Sequence, residues 1–588
     1  MSRLQKILQR FRVGPYEIAA LAIIAFTIAF RILLIALGWP ETDSDEGTMG
    51  LAAMHIAFRG EHPVFLYGQN YMGMIEAYVG AFLFRLFGVS LFNLRLGMIL
   101  LFTLFLVSTY CLTSLLYSKK LALVTLALLS IGASNVLLPE MRAVGGAMET
   151  LIFGSILMLL SSWLAFTAGE DALPRKRRRR LLAYVCWGLA TGLGLWSHLL
   201  VLPFVLTSGV ILLLFCLRDL RSWAPIGIIV GCVIGAMPLI YYNITAPIAQ
   251  NSLAVALTIH SASDTGLSLA KVTFSKQLSG TLFFSLPEAT GLNSLCKLER
   301  LPLFGPRSSR DLLCTVVQGG WSMGYIALMG IAALMALVPL WKLWQLHRSA
   351  NHQWSIEERQ STILHTARLL LLCGAGMTLA LYVLSPLAAE KPWSTRYLIG
   401  LLIATPAIIW PLWNGLRGSN LAALTRWSQK ADVVVRGGLI LLIGATFLLG
   451  TIGDLSEIPN DQSLLQQDSV LTHDLLQHGI KHISAGYWVC DRLIFASQEQ
   501  IICNVVETNL SEGLNRYTPY IAIVKADPTA PYVFPLGSDF ALAAAHNPLL
   551  NSSRYHQFVL DGYIVYQPTG SGTTANAASF LYAPICLA

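Results

Sequence analysis

The stretch YEIAALAIIAFTIAFRILLIALGWPETDSDEGTMG, residues 16–50, decides how the rest of the chain is read. Its first part, Tyr16–Gly38, is an apolar run. It is long enough to cross a bilayer's hydrocarbon, which takes about 20 residues. Its second part, ETDSDEGTMG (41–50), places Asp43, Asp45 and Glu46 within four positions. Carboxylates are costly to desolvate, so a cluster held at a hydrocarbon edge implies a use. The preceding MSRLQKILQRFR is basic, and the apolar run lacks a clear small-residue cleavage site. It reads as a retained span.

Working outward, the 588 residues are 55% hydrophobic and only 12% charged. Soluble domains carry about 25% charged residues, so the chain falls in the membrane class. The net charge of +8 does not point to nucleic acid, because the basic residues cluster beside apolar runs. Ten cysteines are scattered without CxxC spacing, so no zinc site or redox motif is predicted.

The length rule predicts about 11 spans. They are Tyr16–Gly38, Ser90–Tyr117, Leu121–Leu138, Met148–Phe166, Tyr184–Trp196, Leu199–Leu217, Pro225–Tyr242, Trp321–Leu343, Ile363–Leu384, Tyr397–Trp413 and Val433–Gly450. Met72–Gly88 is short and carries Glu76 and Arg85, which predicts a helix lying at the interface. With the N-terminus cytoplasmic, Lys119–Lys120, PRKRRRR (174–180), Arg218–Arg221 and the 346–362 and 417–430 loops all fall inside. All are basic, as orientation by positive charge requires. The acidic cluster, residues 244–320 and the tail then lie outside.

The composition shifts near residue 453. The expected domains are a transmembrane domain over 1–452 and a small extracytoplasmic α/β domain over 453–588. Leu464–Ile480 has helical spacing. YWVCDRLIFAS, IICNVVE and YHQFVLDGYIVYQ read as strands, the last with a turn at Asp561–Gly562. Cys490 with Cys503, and Cys296 with Cys314, are candidate disulfides on that side. The fold class is therefore mainly α: a polytopic helical bundle with interfacial helices in its first external loop and a small C-terminal α/β domain.

Two roles stay open for the acids. Asp43 or Ser44 suits a helix N-cap, and acids favour the N-terminal dipole. A carboxylate there also suits the base that takes a proton from an attacking hydroxyl or amine. SDEGTMGLAAMHIAFRGEHPVFLYGQNYMGMIEAYVGAFLFRLFG (44–88), with YGQNYMG (67–73) inside it and PEMRAVGGAMETL (139–151) later, resembles the first external region of the GT-C glycosyltransferases. It is most similar to the protein O-mannosyltransferase and aminoarabinose transferase relatives. The resemblance covers about the first 160 residues best.

That resemblance implies a polyprenyl-phosphate-linked sugar donor and an acceptor glycan, lipid or protein. Asp45 matches the catalytic acid, with Asp43 and Glu46 as rivals. Arg142, beside Glu140, is either a phosphate clamp or an ordinary anchor at the headgroup level, with Glu149 as a candidate partner. In AAEKPWSTRYLIG (388–400), Lys391, Arg396 and Tyr397 gather at an external span entrance, against the usual charge bias. Either they hold the donor phosphate or they pair with Glu390. Tyr67 and Gln69 are candidates for sugar hydroxyls and equally suit fixing their loop, and His198 is a candidate binding group, although a lone histidine is more often structural. No cofactor is certain: the acids suit Mg²⁺ or Mn²⁺ through oxygen ligands, whereas the resemblance implies no strict metal requirement. The competing reading is a transporter or flippase of lipid-linked glycan, but the acids lie at the membrane edge and no matched halves appear.

Overall fold

The computed structural model describes residues 14–168, 174–252, 254–255, 273–292, 309–349, 355–389, 392–416 and 426–569. The chain forms two compact units. One joins Met1–Pro40 to Ala52–Pro459, and the other joins Glu41–Leu51 to Asn460–Ala588. The acidic stretch thus belongs to the same unit as the C-terminal region.

The longer helices up to residue 477 are α1 (Pro15–Ala36), α2 (Ser44–Met54), α3 (Ile75–Phe87), α4 (Leu91–Leu116), α5 (Lys119–Leu129), α6 (Ser134–Met141), α7 (Ala147–Phe166), α8 (Pro174–Ser197), α9 (Leu202–Phe215), α10 (Ala224–Gly235), α11 (Met237–Thr245), α12 (Ser309–Ser349), α13 (Ile356–Leu384), α14 (Thr405–Leu416) and α15 (Arg426–Gln477). Among the described residues, 7 helices are long and apolar enough to cross a membrane, or 9 if each bent pair, α5 with α6 and α10 with α11, is one span. The other two predicted spans fall in α8 and in the shorter apolar Leu199–Phe215. The architecture is a polytopic helical bundle. At 13 residues α3 is roughly 20 Å long, too short to cross.

Helix α1 shows why these helices suit lipid. Its outward positions include Leu21, Phe26 and Leu33, all more than half exposed, while Thr27 and Arg31 are buried. Polar groups turned inward and apolar groups outward is the arrangement hydrocarbon demands. Arg31 forms an ion pair with Glu140 on α6, and both side chains are fully buried. The guanidinium also donates to the Ser130 carbonyl at 3.2 Å and lies 4.1 Å from the centre of the Phe102 ring. Glu140, expected beside a phosphate clamp, is thus tied into the bundle. Replacing Glu140 with Ala strands a buried charge and should cost about 3–5 kcal/mol, read as a fall in thermal stability in detergent. Replacing both partners with apolar residues should recover most of it.

Arg180, the last residue of PRKRRRR, is likewise built in. It pairs with Asp219 and donates to the Leu164 carbonyl at 2.8 Å.

α8 and α10 meet through glycine. A Cβ on Gly188 would stand 2.2 Å from the Ile228 carbonyl oxygen, and one on Gly231 would stand 2.1 Å from that of Val185. Small residues four apart let two backbones touch, which is how helices associate where lipid is as apolar as leucine.

The second unit carries a five-stranded sheet of β1 (His482–Ala485), β2 (Ile502–Val505), β3 (Tyr532–Pro535), β4 (Tyr555–Leu560) and β5 (Tyr563–Pro568). The strand order is β2-β1-β3-β5-β4. β1 runs parallel to β2 and β3, and β3–β5 and β5–β4 are antiparallel. The predicted hairpin turn at Asp561–Gly562 is present, both residues with φ > 0 (48° and 81°).

One predicted strand is a helix. YWVCDRLIFA forms α16 (Tyr487–Ala496), with Val489, Cys490, Leu493 and Ile494 buried. Buried positions at i, i+1, i+4 and i+5 fit the 3.6 period, and so short an apolar run reads either way until its partners are known. The helix buries that face in a core with β1 and β2. The expected disulfide Cys490–Cys503 is formed and ties α16 to β2. Leu464–Ile480 is helical through Gln477, as the end of α15, which continues from the last apolar segment through Pro459. Cys296 lies outside the described residues, so its pairing with Cys314 is not described.

Candidate functional site

The acids of residues 41–50 separate by role. Asp43 is the N-cap of α2: its Oδ1 accepts from the Glu46 amide at 2.9 Å. Glu46 is fully buried. Asp45 Oδ1 accepts two hydrogen bonds, from the Tyr487 hydroxyl at 2.5 Å and from Arg516 Nη2 at 2.7 Å. Its side chain keeps 14% exposure.

Several ties fix this arrangement. The Ser44 hydroxyl donates to the Tyr487 carbonyl at 2.5 Å. The Glu41 amide donates to Asp461 at 2.8 Å. A Cβ on Gly47 would fall 2.6 Å from the Asp491 carbonyl oxygen, so α2 and α16 approach as closely as their backbones allow. The glycine of SDEG is therefore needed for contact.

Thr48 Oγ1 lies 2.8 Å from Asp491 Oδ2 and 2.7 Å from the Ser44 carbonyl. Burial pushes the Asp491 carboxyl up to about 6, against the opposing pulls of Thr48 and Arg516. A carboxyl raised on folding adds stability at low pH and loses it as pH rises through about 6. Asp491→Asn should therefore flatten the unfolding temperature of this unit between pH 4 and 7, measured by its near-ultraviolet circular dichroism.

The larger unit brings four of the singled-out segments together. The 65–73 loop closes on itself through a Phe65–Gly73 bridge, and the Gly73 amide donates to the Ser197 carbonyl at 2.9 Å. His198 follows at the end of α8. Its ring lies 6.2 Å from that of Tyr71 and 6.4 Å from that of Tyr397. Gly146, with φ 82°, leaves room for the imidazole, since a Cβ there would come within 2.6 Å of it. Arg396 lies over the Tyr397 ring at 5.5 Å. Both stand on a 3-10 stretch, Pro392–Ala404, whose start is anchored where the Tyr382 hydroxyl meets Ser394 at 2.6 Å and Thr395 donates to Glu288 at 3.3 Å.

The other expectations divide. His198 Nδ1 accepts from the Leu200 amide, so in the neutral ring the proton is on Nε2. The Tyr67 hydroxyl donates to Glu61 at 2.8 Å and meets His55 at 2.9 Å. Gln69 shapes the turn through backbone bonds. Arg142 follows α6, and Glu149 is buried in α7. Glu76 accepts from the Gly145 amide at 2.9 Å. Lys391 and Glu390 lie outside the described residues. No group of three or more potential metal-ligating His, Cys, Asp or Glu side chains is found among the described residues.

A separate apolar cavity of about 430 Å³ is lined by Ile75, Tyr78, Val79, Phe82, Trp196 and Pro238. The Trp196 indole N–H is satisfied by the Val64 carbonyl at 2.9 Å, so its ring lines the cavity at no polar cost.

No protein-family model matches the chain, and no curated protein matches it in sequence. Solved structures match along nearly its whole length. ArnT from Cupriavidus metallidurans bound to undecaprenyl phosphate aligns over 94% of this chain and 98% of its own, with TM-score 0.54 and 13% identity. The chain has the GT-C fold. The archaeal oligosaccharyltransferase AglB from Archaeoglobus fulgidus, in complex with an inhibitory peptide and a dolichol-phosphate, aligns over 95% of this chain and 75% of its own, at 12% identity and TM-score 0.43.

Within this GT-C fold, sequence reading missed Tyr487, Arg516, Asp491 and Glu288. The first and third sit in a segment read as strand. Arg516 lies in a loop between sheet elements, and Glu288 lies in a stretch read only as polar. None carries a motif, and only their partners mark them.

Proposed function

We propose that this protein is an integral membrane glycosyltransferase that takes a sugar from a polyprenyl-phosphate donor on the extracytoplasmic face. In the proposed step the acceptor's hydroxyl or amine attacks the anomeric carbon. The bond from that carbon to the phosphate oxygen breaks, Asp45 takes the acceptor's proton, and polyprenyl phosphate leaves as the anion. Arg396 neutralises the phosphate, with Arg142 as a second cation. One base acting in a single displacement inverts the anomeric configuration.

The observation that carries this reading is Asp45. Its carboxylate accepts from Tyr487 and Arg516, 442 and 471 residues away in sequence, and keeps 14% exposure, whereas Asp43 caps α2 and Glu46 is fully buried. The GT-C fold supports it, and the apolar cavity suits isoprenoid chain.

The test is donor turnover. The purified protein in liposomes is given undecaprenyl phosphate carrying a radiolabelled hexose or pentose, with envelope glycan, lipid and protein fractions as acceptors. Release of undecaprenyl phosphate with label in the acceptor, of inverted configuration, supports the proposal. Movement of the intact lipid-linked sugar across the bilayer without cleavage rejects it in favour of a transporter.

A further inference from the structure

The unit that contains Asp45 is built mostly from the far end of the chain, and two of its side chains converge on one carboxylate oxygen. Arg516 Nη2 donates to Asp45 Oδ1 at 2.7 Å, and Arg516 Nε donates to the Tyr487 hydroxyl at 2.8 Å. With its oxygen accepting from arginine, the tyrosine directs its own proton to Asp45 Oδ1 at 2.5 Å. The guanidinium also lies 5.4 Å from the centre of the Tyr487 ring. The three groups form a closed triangle in which each bond polarises the next. Arg516 is 5% exposed, so water screens the triangle little.

Burial and the Asp45 charge push the Tyr487 phenol far above its ordinary range. The hydroxyl therefore stays a donor at any physiological pH. The scaffold behind it is stiff: Tyr487 opens α16, and Cys490, one turn later, is bonded to Cys503 on β2.

We infer that Tyr487 and Arg516 are positioning residues for the transfer step, holding the Asp45 carboxylate in a single orientation toward the acceptor proton. The inference rests on the reading of Asp45 as the base. The C-terminal region thereby supplies the donors that orient the acid. A base misplaced by even 1 Å loses about a hundredfold in rate, so two convergent donors are worth their desolvation.

Three variants of the full-length protein test this, with undecaprenyl phosphate carrying the radiolabelled sugar the wild type turns over. Tyr487→Phe and Arg516→Gln should each lower kcat at least about tenfold, with the donor KM within about twofold. Neither change touches a group assigned to the donor, so the loss should fall on kcat and not on KM, with thermal unfolding in detergent near that of the wild type. Arg516→Lys should recover part of the lost kcat but not all of it, because an ammonium supplies charge without the planar fork.

Unchanged kcat in Tyr487→Phe and Arg516→Gln, with Asp45→Asn inactive, overturns the inference and leaves the base standing. Lost activity with a lowered unfolding temperature, or with no recovery in Arg516→Lys, makes the two residues merely structural, which also overturns it. Full activity in Asp45→Asn overturns the base reading instead.

Discussion

Asp45→Asn should cut sugar transfer by about 10²–10⁴-fold while the protein still inserts and folds. The amide keeps an oxygen that accepts from Tyr487 and Arg516, so the triangle loses charge but not its bonds. It has no basicity, so the acceptor's proton has nowhere to go. The measurement is label transferred per mole of protein, with thermal unfolding in detergent as the check on folding. Asp43→Asn is the companion variant. Asn caps a helix as well as Asp does, so the bond to the Glu46 amide survives and activity should stay near that of the wild type. Equal losses in the two variants would mean that the negative charge of the stretch matters and that Asp45 is not singled out as the base.

Gly231→Leu should leave almost no folded protein. The missing Cβ would sit 2.1 Å from the Val185 carbonyl oxygen and 2.8 Å from the Leu189 amide nitrogen, both backbone atoms of α8. A flexible side chain can swing aside, but a helix backbone cannot without parting the pair. The same contact repeats at Gly235, where a Cβ would lie 2.5 Å from the Leu189 carbonyl oxygen. Forcing the helices apart should cost at least about 3 kcal/mol, the upper end of overpacking penalties. Yield after detergent extraction and size-exclusion profile report it. Gly324→Ala is the control: nothing lies within 4 Å of a Cβ there, so the change should be neutral or gain up to about 1 kcal/mol from helix propensity. Equal behaviour of the two variants would show that α8 and α10 do not depend on close approach.

The parts of the fold legible in the sequence are those written within ten or twenty residues. Every predicted span falls on helix, two of them as bent pairs and one beginning as 3-10, because apolar runs satisfy their backbone bonds internally. The β4–β5 hairpin was legible because Asp-Gly admits the positive φ that its turn needs. The Cys490–Cys503 pair was legible as a candidate and no more, since spacing does not decide pairing. The segment 487–496 misled because valine, cysteine, isoleucine and phenylalanine fill a buried strand or a buried helix equally well. The core of β1, β2 and the end of α15 chose the helix.

By itself the sequence determined that the protein lives in a bilayer, that carboxylates follow its first crossing, and that YGQNYMG, PEMRAVGGAMETL and STRYL hold polar groups at span ends. Tertiary structure decided which acid is which. Asp43 caps, Glu46 is buried, and Asp45 meets Tyr487 and Arg516, 442 and 471 residues away. The reason is physical. Periodicity, capping and turn chemistry act between near neighbours, whereas a hydrogen bond across hundreds of residues exists only once the chain has closed on itself.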